Sequence, residues 1–269
     1  MTDVIVFSGQ SNMEGQTEKL LDGSVVPGAY EYKYATDSLV PLCDPFGENL
    51  KYDGTAGEAY EDYMGMTWHT KHALGGSAYG NTTLIPEFCR VYIDRTGREV
   101  TAVGAAKGAE TIDYFLPGAA GYEILVKKTK AAIKKTPDFS GDVYIVFLQG
   151  ESDAIISKDT ETYLKQIKET AHALEKELKI KRFGIIRVGR FTNDERDDRI
   201  IEAQDRACAE DELFLMLTDE ATELNKMPEY MNPYVGGHFS ALGLTKLGRD
   251  AAITLSEYVN NNGGYYGKK

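Results

Sequence analysis

Four short blocks of this 269-residue sequence carry residue types suited to chemistry. The first is Phe7-Ser8-Gly9-Gln10-Ser11-Asn12-Met13, directly after the apolar run Val4–Phe7. Such a run reads as a strand. In a parallel α/β sheet, ligands bind beyond the carboxyl ends of the strands, which is where Ser11 would stand. A serine there is a candidate nucleophile, and the backbone N–H groups of the helix that follows are candidate oxyanion donors. A serine that only caps a helix is the competing reading.

The second block is Gln149-Gly150-Glu151-Ser152-Asp153, at the end of another apolar run. Glu151 or Asp153 could orient a base, and Gln149 could offer an amide N–H to an oxyanion. A loop that caps the next helix is the plain alternative. The third is Gly236-Gly237-His238-Phe239-Ser240. The chain has four histidines, and His238 is the best base for Ser11, with a buried structural histidine as its competitor. His172 sits off the apolar stripe of its helix and reads as solvated. His69 and His72 form an i, i+3 pair that lacks a third metal ligand at suitable spacing. The fourth block is Val103 to Ile112, where Gly108 N–H is a second candidate oxyanion donor. It is not a phosphate loop, because GxxxxGK[ST] is absent. Nor is the serine block Gly-X-Ser-X-Gly, the nucleophile elbow of the α/β-hydrolases. Asn81-Thr82-Thr83 is formally a glycosylation sequon and reads as the approach to a helix.

The elements that must position these blocks alternate. Strands are expected at Val4–Phe7, Val100–Gly104, Val143–Leu148, Gly184–Val188 and Leu213–Leu217, each short and apolar as in a sheet covered on both faces. Helical periodicity covers Thr83–Arg95, Tyr122–Lys135, Asp159–Leu178, Glu195–Glu210 and Ser240–Asn260. This β-α alternation predicts a doubly wound sheet in one domain spanning 1–269. The stretch from about 16 to 80, rich in tyrosine and glycine, reads as an irregular insertion with small strands such as Tyr30–Tyr34, folded over one end of the sheet.

Composition narrows the partners. Lys plus Arg number 30 against 42 Asp plus Glu, a net charge of −12, so neither nucleic acid nor an anionic membrane surface is expected. No apolar run approaches the ~18 residues of a membrane span. The N-terminus lacks the pattern of a secretory leader, and Cys43, Cys89 and Cys208 are widely spaced, so a cytoplasmic protein with reduced thiols is expected. Nothing in the sequence indicates an oligomeric state.

Taken together, Gly9-Gln10-Ser11-Asn12-Met13, the Gly108 segment, Gln149-Gly150-Glu151-Ser152-Asp153 and the late His238 occur in the order seen in SGNH-type hydrolases. The sequence most resembles the sialate O-acetylesterase and acetylxylan esterase branch, carbohydrate esterase family six. The resemblance runs from residue 4 to about residue 250, carried by these four blocks. It implies a flavodoxin-like three-layer α/β/α sandwich around a mainly parallel five-stranded sheet. It also implies a serine esterase without metal or cofactor, acting on an acetylated mono- or oligosaccharide. By position, Ser11 matches the nucleophile and His238 the base. Ser11 N–H and Gly108 N–H match oxyanion donors, with Gln149 as a third, and Gln10 and Asn12 flank the nucleophile as substrate-binding positions. Many relatives carry Asp three residues before the histidine, where this chain has Val235. Glu151 is then the candidate to orient His238, and a Ser–His dyad held by a backbone carbonyl is the alternative. Gly108-Ala109-Glu110-Thr111 also departs from the usual Gly-Gly-Thr-Ser. An SGNH esterase acting on another ester and a non-catalytic glycan-binding module are the other functional readings.

Overall fold

The computed structural model describes residues 1–34, 36–47 and 81–262. Val4, Ile5, Val6 and Phe7 are wholly buried, as a strand covered on both faces requires. They belong to β1 (Thr2–Gly9), the centre of a sheet whose other strands are β2 (Ala29–Lys33), β3 (Ser38–Pro41), β4 (Glu99–Ala106), β5 (Val143–Leu148), β6 (Arg182–Ile186) and β7 (Phe214–Thr218). The order is β3-β2-β4-β1-β5-β6-β7, and among the described residues only the β2–β3 pairing is antiparallel.

The five expected strands are all present, and among the described residues the sheet has seven, not five. The additional pair lies inside the segment expected to be irregular. It extends the sheet edge beyond β4 through parallel pairing of β2. The alternation of β2 is disguised by charge: Glu31 and Lys33, two residues apart and so on one face, are both buried and form an ion pair.

The helices are α1 (Ser11–Glu14), α2 (Ile85–Thr96), α3 (Ala120–Lys135), α4 (Glu151–Ile155), α5 (Thr160–Leu178), α6 (Glu195–Glu210), α7 (Ala221–Leu224) and α8 (Ala241–Asn262). α2 packs on α8, while α5 packs on α3 and α6, giving a three-layer α/β/α sandwich. α5 shows why such segments are helical. Asp159 caps it by accepting from Thr162 N–H at 2.9 Å, and Tyr163, Leu164, Ile167, Ala171, Leu174 and Leu178 form its buried stripe.

At the amino end of the sheet, buried Asp3 gathers three elements. Its carboxylate accepts from the Tyr92 hydroxyl of α2 at 2.6 Å, from Asp142 N–H before β5 at 2.7 Å, and from the Arg98 guanidinium before β4 at 3.3 Å. Truncating one partner of such a network strands the others in a low-dielectric interior. Asp3→Ala is therefore expected to cost about 3 kcal/mol, a fall in Tm of about 6–12 °C in thermal unfolding. Because Asp3 lies at the sheet end away from Ser11, the folded fraction should keep the surroundings of Ser11 intact.

Candidate active site

β1 ends at Gly9, which sits between β4 and β5. Gly9 O accepts from Lys107 N–H at 2.9 Å, and the next amide, Gln10 N–H, donates to Leu148 O at 3.0 Å. Gly9 has φ +141°, and a Cβ there would fall 1.9 Å from Leu148 O, so only glycine fits. The chain then turns into α1, placing buried Ser11 in its first turn, where the leading N–H groups have no intrahelical acceptor.

His238 arrives from the other side, in the loop before α8. Its Nε2 lies 2.8 Å from Ser11 Oγ, and its Nδ1 lies 3.0 Å from the Gly236 carbonyl. A carbonyl can only accept, so Nδ1 carries the proton and the Nε2 lone pair faces the serine hydroxyl. Burial pushes the His238 pKa below its ordinary 6.5, with the Gly236 hydrogen bond opposing. The loop is organised by Asn232. Its Oδ1 accepts from Tyr234 N–H at 2.9 Å, its backbone N–H donates to His238 O at 2.8 Å, and its Nδ2 donates to Gln16 O at 2.7 Å. Phe191 meets the imidazole edge-on, ring centroids 5.6 Å apart.

Glu151, expected at the imidazole, stands one residue removed from it. Glu151 Oε1 accepts from Asn12 Nδ2 at 2.8 Å, and Asn12 Oδ1 accepts from Phe239 N–H at 3.1 Å. The acid thus tethers the backbone beside His238, while the Gly236 carbonyl takes the place at Nδ1. Asn12 is consumed by this bridge and does not line the cleft. Burial raises the Glu151 pKa, and its Oε2 has no hydrogen-bond partner among the described residues.

Gln149, expected as a third oxyanion donor, is turned into the scaffold. Its Nε2 donates to Asp153 Oδ2 at 2.5 Å and Glu110 O at 3.2 Å, and its Oε1 accepts from the Tyr163 hydroxyl at 3.0 Å. Asp153, the other acid weighed for orienting a base, also serves the scaffold, pairing with Lys158 at 2.9 Å. Gln10 does line the cleft, with Oε1 taking the Ser152 N–H at 3.3 Å and the Gly150 N–H at 3.4 Å. Gly108 lines it too, and a Cβ there would stand 3.6 Å from Ser11 Cβ.

The cleft over Ser11 and His238 has a volume of about 480 Å³, within the range of small-molecule sites. Its lining includes Glu14, Gln16, Lys107 and Phe191, none of which the sequence reading singled out. One signal could have found Glu14. Three residues beyond Ser11 on a helix, it shares that residue's face.

His172 bonds Asp211 and Glu175 on an exposed face. His69 and His72 lie outside the described residues. Among the described residues there is no group of three or more His, Cys, Asp or Glu able to hold a metal, and no helix long and apolar enough to cross a membrane.

Known proteins place this geometry in context. An Arabidopsis thaliana protein aligns with a TM-score of 0.67 at 16% identity, covering 96% of this chain and 98% of its own. NanS aligns at 0.62 and 12% identity, covering 97% of each chain. A carbohydrate acetylesterase from Xanthomonas citri aligns at 0.54 and 13% identity, covering 96% of this chain and 56% of its own. At such identities these likenesses concern the fold. No curated protein sequence matches the chain. The model of one sequence family, described as carbohydrate esterase, sialic acid-specific acetylesterase, matches residues 1–256. With nearly the whole length so matched, the chain belongs to the sialic acid-specific acetylesterase family of carbohydrate esterases.

Proposed function

We propose that this carbohydrate O-acetylesterase works through a serine acyl-enzyme, with Ser11 as nucleophile and His238 as the base, on acetylated mono- or oligosaccharides. The observation that carries the reading is the 2.8 Å approach of His238 Nε2 to Ser11 Oγ at the floor of the cleft. A serine hydroxyl is a weak nucleophile until an adjacent base takes its proton. As Ser11 Oγ bonds to the acetyl carbonyl carbon, its proton passes to Nε2, and the carbonyl oxygen becomes an oxyanion facing the N–H groups of Ser11 and Gly108. Nε2–H then protonates the sugar oxygen as the ester C–O bond breaks. Water, giving its proton to Nε2, attacks the acetyl-enzyme. Collapse of that second intermediate returns the proton to Ser11 and frees acetate.

In this reading, the Gly236 carbonyl supplies at Nδ1 the orientation that a carboxylate supplies in a triad. A neutral carbonyl stabilises the imidazolium less than a carboxylate does, in keeping with the depressed His238 pKa.

Three outcomes test this function. Ser11→Ala should lower kcat on an aryl acetate or an acetylated sugar at least ~10³-fold, read as released acetate; turnover at the wild-type rate overturns the nucleophile. Glu151→Gln, which keeps an oxygen for Asn12 Nδ2, should stay within about tenfold of wild type, whereas loss of a triad acid costs about 10⁴. A fall of that larger size would return Glu151 to the imidazole. Across aryl esters of rising chain length, the rate should drop at least ~10-fold from acetate to butyrate; a rate that holds or climbs would point to a different acyl substrate.

A further inference from the structure

The mechanism leaves two ionisable groups of the cleft unused, Lys107 and Glu14. Glu14, the last residue of α1, lies one helical turn from Ser11 and lines the same cavity. Its carboxylate stands beside the Gly108 N–H and the Gln16 side-chain amide, both of which favour its charged form. A Cβ built on Gly108 would stand 2.9 Å from Glu14 Oε2 and 3.3 Å from Gln16 Nε2. An acid therefore already stands beside the N–H assigned to the acetyl oxyanion.

An amide N–H aimed at a carboxylate is not free for an oxyanion, and two negative oxygens on one donor repel in a water-poor cleft. The charged and titratable groups facing Glu14 are few among the described residues. Lys107 attracts it, but the ammonium is shared with Glu110 at 2.8 Å and lies 4.7 Å from the centre of the Tyr114 ring. Tyr114 feels the Glu14 charge, and its own pKa rises mainly through burial. His238 lines the same cavity.

We propose that Glu14 is a positioning residue that gates the oxyanion site: as a carboxylate it keeps the Gly108 N–H, and as the neutral acid it yields that N–H to the acetyl oxygen. The gate rests on the reading of Ser11 as nucleophile and Gly108 as donor. Burial carries Glu14 to about 7, so both of its forms are populated near neutrality. The sign follows. On the acid side, rate is lost as His238 protonates, below pH 6.5. On the alkaline side, rate is lost as Glu14 gives its proton to solvent, above about pH 7.

The experiment is a pH profile of kcat and KM from pH 5 to 9 on an aryl acetate, after subtraction of uncatalysed hydrolysis. It compares wild type, Glu14→Gln and Glu14→Ala, with Tm recorded for each. Wild-type kcat should fall about tenfold per pH unit on the alkaline side, while both variants stay level there. A wild type without that fall, or a Glu14→Gln variant that keeps it, overturns the gate. Turnover by Ser11→Ala would instead overturn the nucleophile, so the two failures are separable. A second readout needs neither turnover nor a stable cleft variant. In ¹³C spectra of glutamate-labelled protein, one carboxyl should titrate near pH 7 and move upward once a phosphonate on Ser11 fills the oxyanion site. A carboxyl that does not move refutes the proposal.

Discussion

The site depends on how closely the chain passes Leu148 at the end of β1. Gly9 has its carbonyl tied to the backbone after β4, and the amide that follows it is tied to the last residue of β5. No side chain fits in that gap. The constraint fixes where the strand stops and the direction in which Gln10 and Ser11 leave it. It therefore also fixes the distance at which a base from the far end of the chain must arrive. A parallel sheet makes the arrangement possible because its central strands all finish at one edge. Ser11, Gly108 and Glu151 follow three adjacent strands there, and the His238 loop closes over them.

The same edge divides labour between side chains and backbone. Asn12 is spent on holding two segments, the start of α4 and the residue after His238. Gln149, fully buried, locks the end of β5 to α5 through Tyr163. What remains for the ligand is largely backbone N–H, the serines Ser11 and Ser152, one imidazole and the polar groups of Gln10, Glu14, Gln16 and Lys107. Fixed dipoles of this kind need little rearrangement when charge develops on a substrate, which is the condition for electrostatic stabilisation of a transition state.

How much of this was legible in the sequence varies with the kind of signal. β5 was read to the residue, because six consecutive apolar residues in a chain of alternating elements admit few alternatives. β2 was read as a small strand at Tyr30–Tyr34, but its place in the main sheet was disguised by a buried Glu31–Lys33 pair, and β3 was hidden by its shortness. Ser11 and His238 were legible as residue types, and the structure brings them together. The acceptor at Nδ1 was legible only as the alternative of an unnumbered backbone carbonyl, which has no letter of its own; the acid at position 151 was put first because carboxylates are visible. Gln149 misled for a related reason. Its amide can serve substrate or scaffold, and only the placement of Tyr163 and Asp153 decides between them.

Anchoring the imidazole through Gly236 O has an evolutionary corollary. An acid side chain in that role can be lost by a single codon change, whereas a peptide carbonyl is present whatever residue occupies the position. The orienting contact is thus buffered against drift at position 236 itself. Its vulnerability is transferred to whatever shapes the loop, namely Asn232, the left-handed Gly237 with φ +75°, and the Phe191 ring against which a Cβ at 237 would come within 2.4 Å. Selection on this base would be recorded in neighbours that never touch the reacting atoms.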